Sequence, residues 1–175
     1  ERFEIESKAP MTDINLCWTN KTRKYVILDR QRCLMGDTHE IHATDYVEKD
    51  DKYLTDKDKQ LAWIRFKIGS PFIANKSNRE NDVAKNEIWK VSDIDGDNIT
   101  LKLGDKEPLT ITRRDLFFDW YSAYCITIHK SQGETFSEKY TIHDWERIPK
   151  TKLGRRLRYV AQSRSKDPEN NITYK

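Results

Sequence analysis

The sequence predicts an α/β domain built on a parallel sheet, with a small β-barrel set into it. Three observations carry that expectation. Ile14-Asn15-Leu16-Cys17-Trp18 is a compact apolar run, followed by the capping residues Thr19-Asn20 and then by apolar residues near helical spacing. That order is the strand–cap–helix unit of a parallel sheet. Between Gly69 and Trp120 the texture changes to short strand-like runs separated by turn residues, the pattern of an antiparallel barrel. A second apolar run, Tyr124 to Ile128, is short and partly β-branched and ends in loop residues, which reads as a buried strand.

The totals bound the class more than the function. Lys and Arg number 32 against 29 Asp and Glu, a net charge of +3, too small to indicate nucleic-acid binding without a favourable distribution. Length suits one domain, or one domain with an insertion. Five Trp, eight Tyr and six Phe supply core volume. Cys17, Cys33 and Cys125 are widely spaced and form no CxxC, so an intracellular, reducing compartment (cytoplasm, nucleus or viral factory) is expected rather than a disulfide or zinc scaffold. No long apolar run or signal sequence points to a membrane or to secretion.

Taken in order, residues 1–10 read as a lead-in. From Lys21 to about Met35, Tyr25, Leu28, Cys33 and Leu34 fall near helical spacing, and Gly36 is a plausible stop. His39 to Lys59 is polar, with acid and base alternating from Glu48, and reads as a solvated loop or an exposed helix. Leu61-Ala62-Trp63-Ile64 ends that region with residues fit for burial. Strand runs follow at Pro71–Ala74, Glu87–Val91, Ile99–Leu103 and Leu109–Thr112, divided by turn signals such as Asp95-Gly96-Asp97-Asn98. Tyr140–His143 is a further core strand, and Glu146–Gly154 a connection. Arg155–Gln162 fits a helix burying Leu157, Val160 and Ala161, and Asn171–Tyr174 a closing strand.

The chemistry concentrates after the second apolar run. His129-Lys130-Ser131-Gln132-Gly133 puts a cation, a hydroxyl, an amide and a glycine into one turn, a set able to offer side-chain and backbone donors to phosphate oxygens. Further on, Tyr159-Val160-Ala161-Gln162-Ser163-Arg164 ends in an arginine, whose planar, permanently charged fork suits phosphate.

TIHKSQGETF, residues 127–136, resembles motif V of superfamily 1 helicases, specifically the 5′-to-3′ branch (1B) containing the RecD-like and Pif-like enzymes, and the YVA-x-SR run resembles their motif VI. The resemblance implies a RecA-like parallel-sheet domain of the P-loop NTPase fold, the second motor domain, carrying an inserted Src-homology-3-like barrel. The division it implies is 1–68 and 120–175 for the two parts of the RecA-like domain and 69–119 for the insert. It assigns Thr127, His129, Lys130 and Ser131 to single-stranded DNA. Gln132, Gly133 and Glu134 fall to the nucleotide, with Glu134 or Thr135 on the ribose, and Arg164 becomes an arginine finger. Thr19-Asn20-Lys21-Thr22-Arg23 is similar to motif IV, which makes Arg23 a second catalytic candidate.

No G-x-x-x-x-G-K-[ST] occurs. The resemblance therefore implies that ATP and Mg²⁺ are bound jointly with an N-terminal RecA-like domain of the same polypeptide, and that this chain alone is without ATPase activity. A monomer with no membrane partner is expected. Alternatives are a stand-alone nucleic-acid-binding module, a protein-interaction domain, or part of an RNA helicase. Residue by residue, Arg164 and Arg23 also read as plain surface arginines, and His129 as a histidine that only braces its loop.

Overall fold

A computed structural model of the chain describes residues 12–46 and 62–175. The lead-in at 1–10 and the charged stretch at 48–59 lie outside the described residues.

One half of the fold is a four-stranded sheet in the order β11 (Ile172–Tyr174), β10 (Tyr140–Ile142), β1 (Ile14–Cys17), β9 (Ile126–Thr127), with every pairing parallel. Helix α1 (Asn20–Arg32) follows β1 directly. Thr19 is extended and its Oγ1 accepts the Thr22 N–H at 3.2 Å, an N-cap that fixes where the helix begins. The helix ends at Cys33, with Gly36 beyond it at φ +88°. Helix α3 (Lys152–Gln162) buries Leu157 and Ala161.

The other half is a five-stranded antiparallel sheet in the order β7 (Leu109–Thr112), β6 (Asn98–Lys102), β5 (Ile88–Asp95), β4 (Pro71–Ala74), β8 (Trp120–Ser122). The Asp95–Asn98 turn closes β5 onto β6, pairing those two residues across a two-residue loop of Gly96 and Asp97. Helix α2 (Arg113–Asp119) joins β7 to β8, capped by Thr112, which exchanges hydrogen bonds with Asp115.

Two apolar cores follow from strand alternation. On β1, Leu16 faces one core and Cys17 the other; on β4, Ile73 and Phe72 divide in the same way. The Leu16 core lies with α3 and contains Ile126, Ile128, Phe136, Tyr140 and Leu157. The Cys17 core joins α1 to the antiparallel sheet through Ile27, Phe66, Phe72 and Trp89.

Several expected boundaries move. The Tyr124–Ile128 strand contracts to Ile126–Thr127, because the chain crosses between the sheets there and the Tyr124 carbonyl accepts from Asn15 Nδ2 at 2.9 Å instead of joining a ladder. Trp120 leads first along the antiparallel sheet, where Ala74, Ile73 and Phe72 pair with Trp120, Tyr121 and Ser122. His39–His42 is strand β2, paired antiparallel with β3 (Trp63–Phe66), so polarity there marks an exposed hairpin edge rather than a loop. Helix α3 begins one turn earlier than Arg155, since the Thr151 hydroxyl accepts the Gly154 N–H at 3.2 Å. Before the closing strand, Pro168–Asn171 forms a short helix, α4.

Candidate functional site

Ligands of parallel sheets gather at the carboxyl ends of the strands. At that edge β9 delivers Thr127 into the 128–134 loop, and β1 delivers Thr19 and the start of α1. The loop is folded on itself. The Lys130 and Ser131 N–H groups donate to the Thr127 carbonyl at 2.9 and 3.2 Å, and the Glu134 N–H to Ser131 O at 3.1 Å. Most backbone donors expected for phosphate are thus occupied. Those of His129, Gly133 and Thr135 carry no intramolecular hydrogen bond among the described residues. Gly133 sits at φ +94°, a conformation that a side chain resists.

The side chains separate clearly. His129 and Gln132 are exposed, and Thr127, Lys130 and Glu134 half-buried. Ser131 is fully buried, its Oγ donating to the Ile128 carbonyl at 2.8 Å. It therefore locks the turn, and its assignment to DNA contact is not met by this geometry. Lys130 Nζ lies 4.6 Å from the centroid of the Tyr121 ring. Arg23 is buried against the same ring, at 5.9 Å, with Nε donating to Asn20 Oδ1 at 3.3 Å. Burial pushes the Arg23 pKa down from its ordinary value, opposed by Cys17, Cys125 and Tyr121. Tyr121 thus gathers the two candidate cations. Nothing in its sequence setting, an aromatic run passing from α2 into β8, distinguished it from core.

Arg164 ties the two motif-like segments together. Its Nη1 donates to the Glu134 carbonyl at 3.0 Å, Nε to Val160 O at 3.1 Å and Nη2 to Ser163 Oγ at 3.0 Å. The Phe136 N–H donates to Arg164 O at 2.7 Å. A guanidinium has five N–H donors, so these bonds leave it two for an anion. Tyr140 adds a strut, its hydroxyl donating to Ala161 O at 2.6 Å, and burial pushes its pKa up to about 12. Burial also raises the Glu134 pKa, with the Glu87 charge adding to it and Arg164 opposing.

Sequence reasoning passed over Gly154. A Cβ there would stand 1.7 Å from the Pro149 carbonyl oxygen, so only glycine lets the 148–149 segment lie against α3. It also passed over the pair of buried Asn15 and half-buried His143, where Nε2 and Oδ1 are 3.0 Å apart. An asparagine inside an apolar strand was a legible signal for such a network. A groove of about 650 Å³ between α1, the 67–71 turn and the 134–138 segment touches the site only at Glu134 and Thr135.

The class that this fold defines is an α/β domain similar to the RecA-like domain of Pif1 helicases. The particular likenesses are as follows. A Pif1 structure solved for DNA unwinding at forked double-stranded DNA superposes with a TM-score of 0.68 at 18% identity, covering 96% of this chain and 40% of that one. Bacteroides Pif1 bound to single-stranded DNA gives 0.62 at 18% identity, covering 95% and 41%. The Pif1 helicase of Candida albicans gives 0.59 at 16%, covering 95% and 46%. The multifunctional conjugation protein TraI of Escherichia coli is 31% identical over 106 residues, 59% of this chain and 6% of TraI. No protein-family model matches. The chain therefore spans less than half of each of these three solved structures and a small part of TraI.

Proposed function

We propose that this chain is the second, C-terminal motor domain of an ATP-dependent 5′-to-3′ DNA helicase. The observation that carries the reading is the Arg164–Glu134 hydrogen bond, which joins the SQGET loop to the YVA-x-SR segment at one edge of the parallel sheet. In this reading residues 1–68 and 120–175 make up the RecA-like domain. Residues 69–119 form an inserted Src-homology-3-like barrel, which takes in strands β4 to β7 of the antiparallel sheet. Single-stranded DNA is held by His129, Lys130 and Thr127, with Ser131 keeping the loop in shape.

ATP lies against Gln132, Gly133, Glu134 and Arg164. Arg164 turns its two remaining N–H groups toward the γ-phosphate, stabilising charge that develops there on hydrolysis. Its other three bonds set the orientation of the fork. Arg23 stands one ring away and would reach a phosphate only if Tyr121 shifted. Among the described residues no group of three His, Cys, Asp or Glu side chains is placed to hold a metal. In the same reading Mg²⁺, which would screen the phosphate charges, is held with the β/γ-phosphate cradle by an N-terminal RecA-like domain of the same polypeptide. The protein would act as an intracellular monomer.

The test is a salt titration with labelled single-stranded DNA, joined to steady-state ATPase measurements on the longer polypeptide. Lys130→Ala is expected to reduce the log–log salt slope by about 0.7, the effect of one lost phosphate contact. Arg164→Ala should leave strand affinity unchanged and lower kcat on the order of 10³-fold. The present chain alone should show no turnover. An unchanged slope in Lys130→Ala, together with loss of DNA in Arg164→Ala, would reverse the two assignments.

A further inference from the structure

Residues 150–166 contain seven basic residues and no acidic one. Helix α3 sorts them. Arg158 is spent inward, with Nη2 donating to the Trp145 and Ile148 carbonyls at 3.0 and 2.9 Å. Arg164 is spent on the loop described above. Lys150, Lys152, Arg155 and Arg156 are exposed, and among the described residues none makes an ion pair or a side-chain hydrogen bond. Several other cations of the chain are paired: Arg30 with Asp13, Lys76 with Asp119, Lys106 with Asp82 and Glu87, Arg147 with Asp144.

Lys152, Arg155, Arg156 and Tyr159 stand at helix spacings of three, four and seven from the first, so they share one face. At 1.5 Å per residue that stripe is about 10 Å long. Tyr159 is 72% exposed. An exposed tyrosine at the end of an unpaired cationic stripe is not explained by solubility, which calls for mixed signs and few exposed aromatics.

We infer that the outer face of α3 is a second contact for single-stranded nucleic acid, separate from the 127–131 loop. Arg155, Arg156 and Lys152 take successive phosphates, and Tyr159 offers its ring to a base. Unpaired arginines fit phosphate oxygens through their forks, and a base has a π-face for the tyrosine where an acidic protein side chain has none. The inference stands on this face alone and does not rest on the motor reading.

The experiment uses the intact chain and labelled oligothymidylate, with anisotropy read across a salt series and the thermal melt of each variant as a folding control. Because the substituted residues are exposed, the melts should superimpose. Arg155→Gln/Arg156→Gln is expected to reduce the log–log slope by about 1.4, two single-strand phosphate contacts. Tyr159→Ala should weaken binding about tenfold at every salt concentration with the slope unchanged. Binding by both variants with wild-type slope and affinity would overturn the inference. So would a slope change in the double arginine variant with no effect of Tyr159→Ala and equal competition by polyglutamate, which would mark a face for acidic protein. Loss of binding in Lys130→Ala alone would retain the loop assignment and remove this one; loss in the α3 variants alone would do the opposite.

Discussion

The two halves of the molecule each carry one distinctive arrangement of charge, and the two are unlike. In the antiparallel half Lys106 and Arg113 are bound into the structure. Lys106 Nζ donates to Glu87 Oε1 at 2.9 Å and to the Asp82 carbonyl at 2.6 Å, while the other Glu87 oxygen accepts from Ala84 N–H and Trp89 Nε1. Arg113 reaches the Gly96 and Glu40 carbonyls and His39 Nδ1. In the parallel half the exposed cations of α3 have no partner among the described residues, while the groups that are satisfied there lie inside, at Asn15, Tyr140 and His143. Lys106 and Arg113 serve the shape of one half; in the other, Arg30 and Arg147 are paired while the outer face of α3 is not.

If that is right, the parallel half should be most sensitive to a buried steric change. Gly154→Ala puts a methyl group against the Pro149 carbonyl oxygen, a contact that backbone must move to relieve. A loss of about 3 kcal/mol is expected in urea unfolding. Thr151→Ala, which removes only the cap bond of the same helix, should cost about 1 kcal/mol. Equal effects of the two substitutions would show that the 148–149 segment yields freely.

Acid should separate the halves. Burial, with help from Lys175 and against Asp144, pushes the His143 pKa down to about 4. The unfolded chain takes up that proton near pH 6.5. Stability from this site is therefore complete above about pH 6.5 and falls as pH is lowered toward 4, by up to about 3 kcal/mol. At Glu87 burial alone would raise the pKa, but hydrogen bonds from Ala84, Lys106 and Trp89 outweigh it and hold the carboxyl below its ordinary value. Its contribution is present above the usual carboxylate range and is lost only below it. Urea midpoints measured at stepped pH should show His143→Asn flattening the upper window and Glu87→Gln the lower. A His143→Asn profile that still falls between pH 6.5 and 4 would assign that proton elsewhere.

How legible these features were in the sequence follows the same division. The β1–Thr19–α1 unit and the Asp95–Asn98 turn were readable because each is decided by neighbours in the chain: a capping hydroxyl, or a glycine between strand residues. The 124–128 region was read too long because its limits depend on Asn15, more than a hundred residues away in sequence. Tyr121 and Gly154 matter through what stands opposite them, the Lys130 ammonium and the Pro149 carbonyl. Ser131 shows the converse: its residue type suits phosphate, but burial gives its hydroxyl to Ile128 O. Motif-like residues were thus found by type and order, while their division of labour needed the fold.

Gln31 is the exception that tests the comparison most finely. It lies on the inner face of α1, on the row of Arg23 and Ile27, is fully buried, and among the described residues neither its amide nitrogen nor its amide oxygen has a hydrogen-bond partner. A buried amide left unpaired costs about 1–3 kcal/mol relative to a satisfied one. Replacing it with an apolar side chain of similar length removes the unpaired groups without opening a cavity. Gln31→Met should therefore stabilise the chain by about 1 kcal/mol, read as a higher urea midpoint at unchanged m-value, and leave single-stranded DNA affinity as it was. Gln31→Ala supplies the contrast, since the cavity it opens should offset the gain. If Gln31→Met instead lowers stability, the amide is bonded in solution, and the inner face of α1 belongs with the groups that the parallel half satisfies.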